Sequence, residues 1–261
     1  MLNALPTVAI PPWAFPILFI TGLLAGFVDS IAGGGGLITL PVLLSLGIPP
    51  KLALGTNKLQ ATCGSGSAAW HYAQSKIVSL SQCGRGALFT VIGAIAGTLL
   101  VQHLDPSFLK RIIPVLLLAI AAYVLFKPRF GSEDIHPRMT PGVFYVVAGL
   151  TIGFYDGFLG PGTGSFWTMA YMLGLGFNLT KATGYTKVMN FASNLSSLTF
   201  FALAGQVLYG AGLAMGIGQL LGAKIGSGMV VAKGAKFIRP VFLTMVLALV
   251  LKLLYDTFSL R

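Results

Sequence analysis

Four ionisable residues stand where few are expected: Asp29, Lys58, Asp156 and Lys187, each next to or inside a long apolar stretch of a 261-residue chain. A charge near the centre of a bilayer costs about 2.5–3.5 kcal/mol on insertion scales, so each needs a partner, a wet cavity or a route to the head groups. Two ammoniums could hold a small anion, and two carboxylates could take and release a proton. The competing structural reading has each aspartate capping a helix end and each lysine extending to the head groups.

What lies beside them favours the chemical reading. Lys58, Thr62 and Ser65 follow at i, i+4 and i+7, one face of a helix, with Thr56 and Asn57 just before. Lys187, Asn190, Asn194 and Ser197 form a longer polar stripe in an otherwise apolar segment. Polar side chains in lipid must face a cavity or another helix. Two glycine tracts add to this: Gly33-Gly34-Gly35-Gly36, and Gly160-Pro161-Gly162-Thr163-Gly164 followed by Ser165. Backbone N–H groups of such tracts can turn toward a negative ligand, and the short helices they open offer unsatisfied amides and a positive dipole end. No Gly-Lys-Ser/Thr follows either tract, which excludes a nucleotide loop.

The elements that must position these residues are apolar spans. The chain is 55% hydrophobic and 9% charged, against roughly 25% charged in soluble domains, which places it in a membrane. Long apolar runs at 12–32, 52–74, 86–104, 108–127, 141–159, 181–204, 207–230 and 237–257 predict about eight transmembrane helices. Shorter runs at 37–48 and 164–176 suit re-entrant or half-helices. The halves repeat. Gly26-Phe27-Val28-Asp29 returns as Gly153-Phe154-Tyr155-Asp156, and Ala53, Gly55 and Lys58 return as Ala182, Gly184 and Lys187. The fold expected is therefore an all-α polytopic membrane protein of two internal repeats, 1–127 and 141–261, joined by a polar linker at 128–140. Interrupted segments at matching places in duplicated halves mark the binding sites of secondary transporters.

Other classes fit poorly. The net charge of +11 collects at the ends of apolar runs, where topology and lipid account for it rather than nucleic acid. Cys63 and Cys83 match neither a disulfide framework nor a metal pair, and no metal site, cofactor or acid–base pair is expected, so the chain is not read as an enzyme. The first basic residue is Lys51, so the first apolar run lacks the charged lead of a secretory signal and is expected to remain as a span. Counting basic loops places both termini outside the cytoplasm, whether neither or both short runs cross. Four crossings per half would make the repeats parallel and five would make them inverted.

At Gly26-Phe27-Val28-Asp29-Ser30-Ile31-Ala32 with its four glycines and Pro41, at Gly55-Thr56-Asn57-Lys58-Leu59-Gln60, and at Gly153-Phe154-Tyr155-Asp156-Gly157-Phe158 with the second tract and Lys181-Ala182-Thr183, the sequence resembles the sulfite exporter TauE/SafE family over nearly the whole chain. That resemblance implies a bacterial inner-membrane permease, with sulfite, sulfonates and related organosulfur anions as substrates and export as the direction. The expected site comprises Gly33, Gly34, Gly35, Gly36, Thr56, Asn57, Lys58, Gly162, Thr163, Gly164, Ser165, Lys187, Asn190 and Asn194, with Asp29 and Asp156 as proton-coupling groups. The partners expected are a small anion, the bilayer and, as an open assembly, a second copy in a homodimer. An anion channel and a proton-coupled importer of organic acids are the alternatives.

Overall fold

The computed structural model describes residues 10–109, 111–113, 115, 119 and 133–234. Regular structure among them is helical: α1 Ala14–Ala32, α2 Gly35–Ser45, α3 Pro50–Gln74, α4 Gly84–His103, α5 Pro141–Phe158, α6 Thr163–Leu175, α7 Leu179–Leu203 and α8 Tyr209–Lys233, with a short 3-10 turn at Leu80–Gln82. Each matches an apolar run to within a few residues. The run at 237–257 and most of 108–127 lie outside the described residues. Pro50 and Pro141 open α3 and α5, where a missing N–H costs nothing, and Asn178 caps α7 by accepting the Lys181 N–H at 2.9 Å.

Among the described residues, α1, α4 and α8 are long and apolar enough to cross a membrane on composition alone. The 25-residue helices α3 and α7 carry the polar stripes instead.

Backbone contact between glycines sets the helix directions. A Cβ on Gly218, Gly222 or Gly226 would strike the carbonyls of Phe19, Leu23 and Phe27 in turn, so α8 runs parallel to α1 at touching distance. Gly93 and Gly97 meet Leu150 and Phe154 in the same way, making α4 and α5 parallel. Helix α3 also runs with α8, since Gly212 meets Leu59 and Gly216 meets Cys63, but against α7, since Gly66 meets Phe191 and Gly184 meets Tyr72. The Gln82–Tyr185 and Thr90–Met189 hydrogen bonds set α4 parallel to α7. With α1 and α3 in one sense, α2 has to return the chain between them; α6 does the same between α5 and α7.

The two returns touch. Gly33, at a φ of +69° that a Cβ would strain, lies against Gly164, and neither position has room for a side chain. The Ser165 hydroxyl shares its one proton between the Gly33 carbonyl at 2.9 Å and the Ala32 carbonyl at 3.2 Å, where α1 ends and leaves acceptors open. The described part of the linker docks on the C-terminal end of α6: Ile135 N–H donates to Gly176 O, and Arg138 and Met139 N–H donate to Gly174 O.

Candidate functional site

The polar stripes of α3 and α7 face each other where the two helix breaks meet, and the four ionisable residues pair crosswise. Lys58 Nζ donates to Asp156 Oδ1 at 2.7 Å, to the Asp156 backbone carbonyl and to Asn194 Oδ1 at 3.2 Å, which uses all three of its protons. The other Asp156 oxygen, Oδ2, accepts a short bond from the Ser193 hydroxyl. Lys187 Nζ donates to Asp29 Oδ2 at 2.9 Å. Asp29 Oδ1 accepts the N–H groups of Gly34 and Gly35 at 2.9 and 3.0 Å, so the first tract does present its amides to an anion, and that anion is the chain's own carboxylate.

The two pairs are held differently, and the sequence contains the reason. Asp29 and Asp156 are 127 positions apart, which sets Pro161 opposite Gly34; proline has no N–H to donate. Lys58 and Lys187 are 129 apart, which sets Gly64 opposite Ser193, so Asp29 has no hydroxyl where Asp156 has one. The Lys58–Asp156 side chains are sealed at 1% and 3% exposure, whereas Asp29 keeps 17% beside a fully buried Lys187.

Around them lies a cavity of about 30 Å³, room for roughly one water. Asp29, Gly34, Gly36, Asn57, Lys58, Asp156, Gly162, Thr163, Gly164, Asn190 and Asn194 line it, joined by Ala61, Gly160 and Gln219. Gly33, Gly35, Thr56, Ser165 and Lys187 do not. Gly33 and Ser165 join the two breaks, Thr56 Oγ1 accepts the Leu208 N–H at 3.0 Å, and Lys187 sits against Asp29, which does line the cavity. Asn57 Oδ1 accepts from Thr39 at 2.6 Å and from Gln60 at 2.8 Å, which ties α2 to α3. Asn190 Oδ1 and Gln219 Oε1 are buried among the lining residues and have no hydrogen-bond partner among the described residues. Such groups cost free energy unless something enters to meet them.

Gln219 and Ser193 escaped the sequence reading. Gln219 is a lone amide in a glycine-rich apolar helix, a signal that could have been seen; Ser193 lies off the face that Lys187 heads and becomes relevant only through Asp156. No group of three or more metal-ligating side chains occurs among the described residues.

The model of the family described as "Sulfite exporter TauE/SafE" matches residues 18–253. The chain is 44% identical over 248 residues to the "Probable membrane transporter protein YfcA" of Escherichia coli K12, covering 95% of this chain and 92% of that one. It is 46% identical over 240 residues to a "Probable membrane transporter protein" of Haemophilus influenzae, covering 92% and 94%. With "Probable membrane transporter protein ORF9" of a Sinorhizobium species it shares 48% over 239 residues, covering 92% of each. No solved structure matches the chain. A buried polar site at paired helix breaks, in a chain similar nearly end to end to membrane transporters, belongs to a member of the sulfite exporter TauE/SafE family.

Proposed function

We propose that the chain is a secondary transporter for small oxyanions, sulfite and organic sulfonates first, carrying them outward across a bacterial inner membrane. Two repeats, 1–127 and 141–261, supply about eight spans and the half-helices α2 and α6, with both termini outside the cytoplasm. In this reading α2 and α6, as returning legs, count as the fifth crossing of each half and the repeats are inverted, which is supported by α1 running with α3 and against α7 while its counterpart α5 runs with α4 and α7.

The observation that carries this reading is the crosswise pairing of Lys58 with Asp156 and Lys187 with Asp29 around an uncovered polar cavity. Each half brings a cation to the other half's carboxylate, so a movement of one half against the other has to loosen both pairs together. That is the behaviour of a device with alternating access, and breaks at mid-membrane are where such devices bind. An ammonium released from its carboxylate, with Asn190, Asn194 and Thr163 beside it, offers what a sulfonate or sulfite needs: charge and several hydrogen-bond donors.

The test is flux in proteoliposomes. Saturable movement of sulfite or methanesulfonate, lost in Lys187→Ala, is the expected result. Unitary currents that do not saturate would replace the carrier with a channel, and no flux of either anion would overturn the reading.

A further inference from the structure

We infer that Asp29 is an internal occupant of the anion site, and that a substrate anion enters by replacing its carboxylate while Asp29 takes up one proton. This rests on the anion-transport reading above and names how that site is regulated.

The contacts of Asp29 are those of a bound oxyanion. One oxygen accepts two adjacent N–H groups at the start of the 11-residue helix α2, and the other accepts the Lys187 ammonium. Lys187 is fully buried and has three protons to give; among the described residues, Asp29 Oδ2 is its one acceptor. A carboxylate offers this cation less than a ligand with three oxygens would. The Asn190 and Gln219 side-chain oxygens, without a hydrogen-bond partner among the described residues, complete the surroundings, and each amide can turn its NH2 or its oxygen toward a ligand. Asp156 cannot play this part, because Ser193 and Lys58 enclose it and Pro161 denies it an amide.

The proton follows from charge. If an anion took the place of the carboxylate and Asp29 stayed ionised, the site would hold two negative groups against one ammonium in a poorly hydrated interior, leaving one charge desolvated and uncompensated. Uptake of one proton from water by an Asp29 oxygen, as one monoanion enters, leaves the charge of the site unchanged. The groups facing Asp29 are Lys187 from α7 and Tyr72 from α3, whose hydroxyl is engaged with the Ser30 carbonyl. Helix α2 has no titratable residue, α8 brings the neutral Gln219 with Lys224 exposed, and Lys58 and Asp156 hold each other. The loaded site is then neutral for a monoanion, and the direction of transport follows the gradients of anion and proton together.

Full-length protein in nanodiscs tests this with methanesulfonate, which does not titrate near neutrality. Thermal stabilisation should need about tenfold more methanesulfonate for each pH unit of rise between about pH 6 and pH 8. Asp29→Asn should bind at about pH 8 more tightly than the parent does at about pH 6, with no pH dependence. In Asp29→Ala, added formate should restore stability by filling the vacated amides and ammonium, whereas the sealed site of Asp156→Ala should not respond. PH-independent binding by the parent, the same pH dependence in Asp29→Asn, or failure of formate to rescue Asp29→Ala overturns the inference and leaves the anion site standing. No stabilisation of the parent by methanesulfonate or sulfite at either pH overturns both.

Discussion

Lys58 and Asp156, 98 positions apart, meet at 2.7 Å in a site from which water is almost wholly excluded. Such a pair is a poor source of net stability, because desolvation offsets the attraction, but a costly one to break. Lys58→Met or Asp156→Asn alone should therefore lose about 3–5 kcal/mol. The double variant should recover much of that loss, and a double-mutant cycle on thermal unfolding in detergent measures the coupling. Additive losses would mean that the two residues are held independently.

Asn190 and Asn194 line the same cavity but should separate function from stability. Asn194 accepts a proton of Lys58, so Asn194→Ala should cost about 1.5–3 kcal/mol as well as transport. The Asn190 oxygen has no partner to lose among the described residues, so Asn190→Ala should leave the unfolding temperature near that of the parent while flux falls severalfold. Equal destabilisation by the two changes would show that Asn190 is structural.

The glycines of the seams should differ sharply from those on open surface. At Gly222 a Cβ would meet the Leu23 backbone, and at Gly97 the Phe154 backbone. Overpacking there to Val should destabilise by about 1–3 kcal/mol or more. Gly84 and Gly142, at helix starts with open space around them, should accept Ala without loss. Thermal scans of the four variants give the comparison.

The docked linker should be acid-labile. Burial works to raise the Asp134 carboxyl, but the Asn178 N–H and the Lys181 ammonium outweigh it and hold the group below its ordinary range. A carboxylate depressed in this way contributes stability above its unfolded pKa of about 3.9, and that contribution disappears as pH falls through the lower folded value. The pair is half-exposed, so the effect should be under about 1 kcal/mol. Hydrogen-exchange protection at Ile135, Arg138 and Met139 should fall as the pH drops below about 4, and Asp134→Asn should lack that acid step.

Periodicity and composition alone located the described helices to within a few residues, because a bilayer demands long apolar runs and glycine and proline interrupt them visibly. They also singled out Asp29, Lys58, Asp156 and Lys187, since an ionisable residue in such a run is expensive wherever it lies. Which carboxylate meets which lysine was not legible: partners 98 and 158 positions apart are brought together by how α3 meets the end of α5 and α7 the end of α1. Nor could the sequence tell that the Gly34 and Gly35 amides already hold Asp29, because a glycine tract licenses many backbone paths and only packing against Pro161 and Gly164 selects one. Helix direction was likewise undecided by counting charges and runs. It was settled by backbones that approach closely enough for glycines four residues apart to name their neighbours, a property of the packed molecule rather than of any single segment.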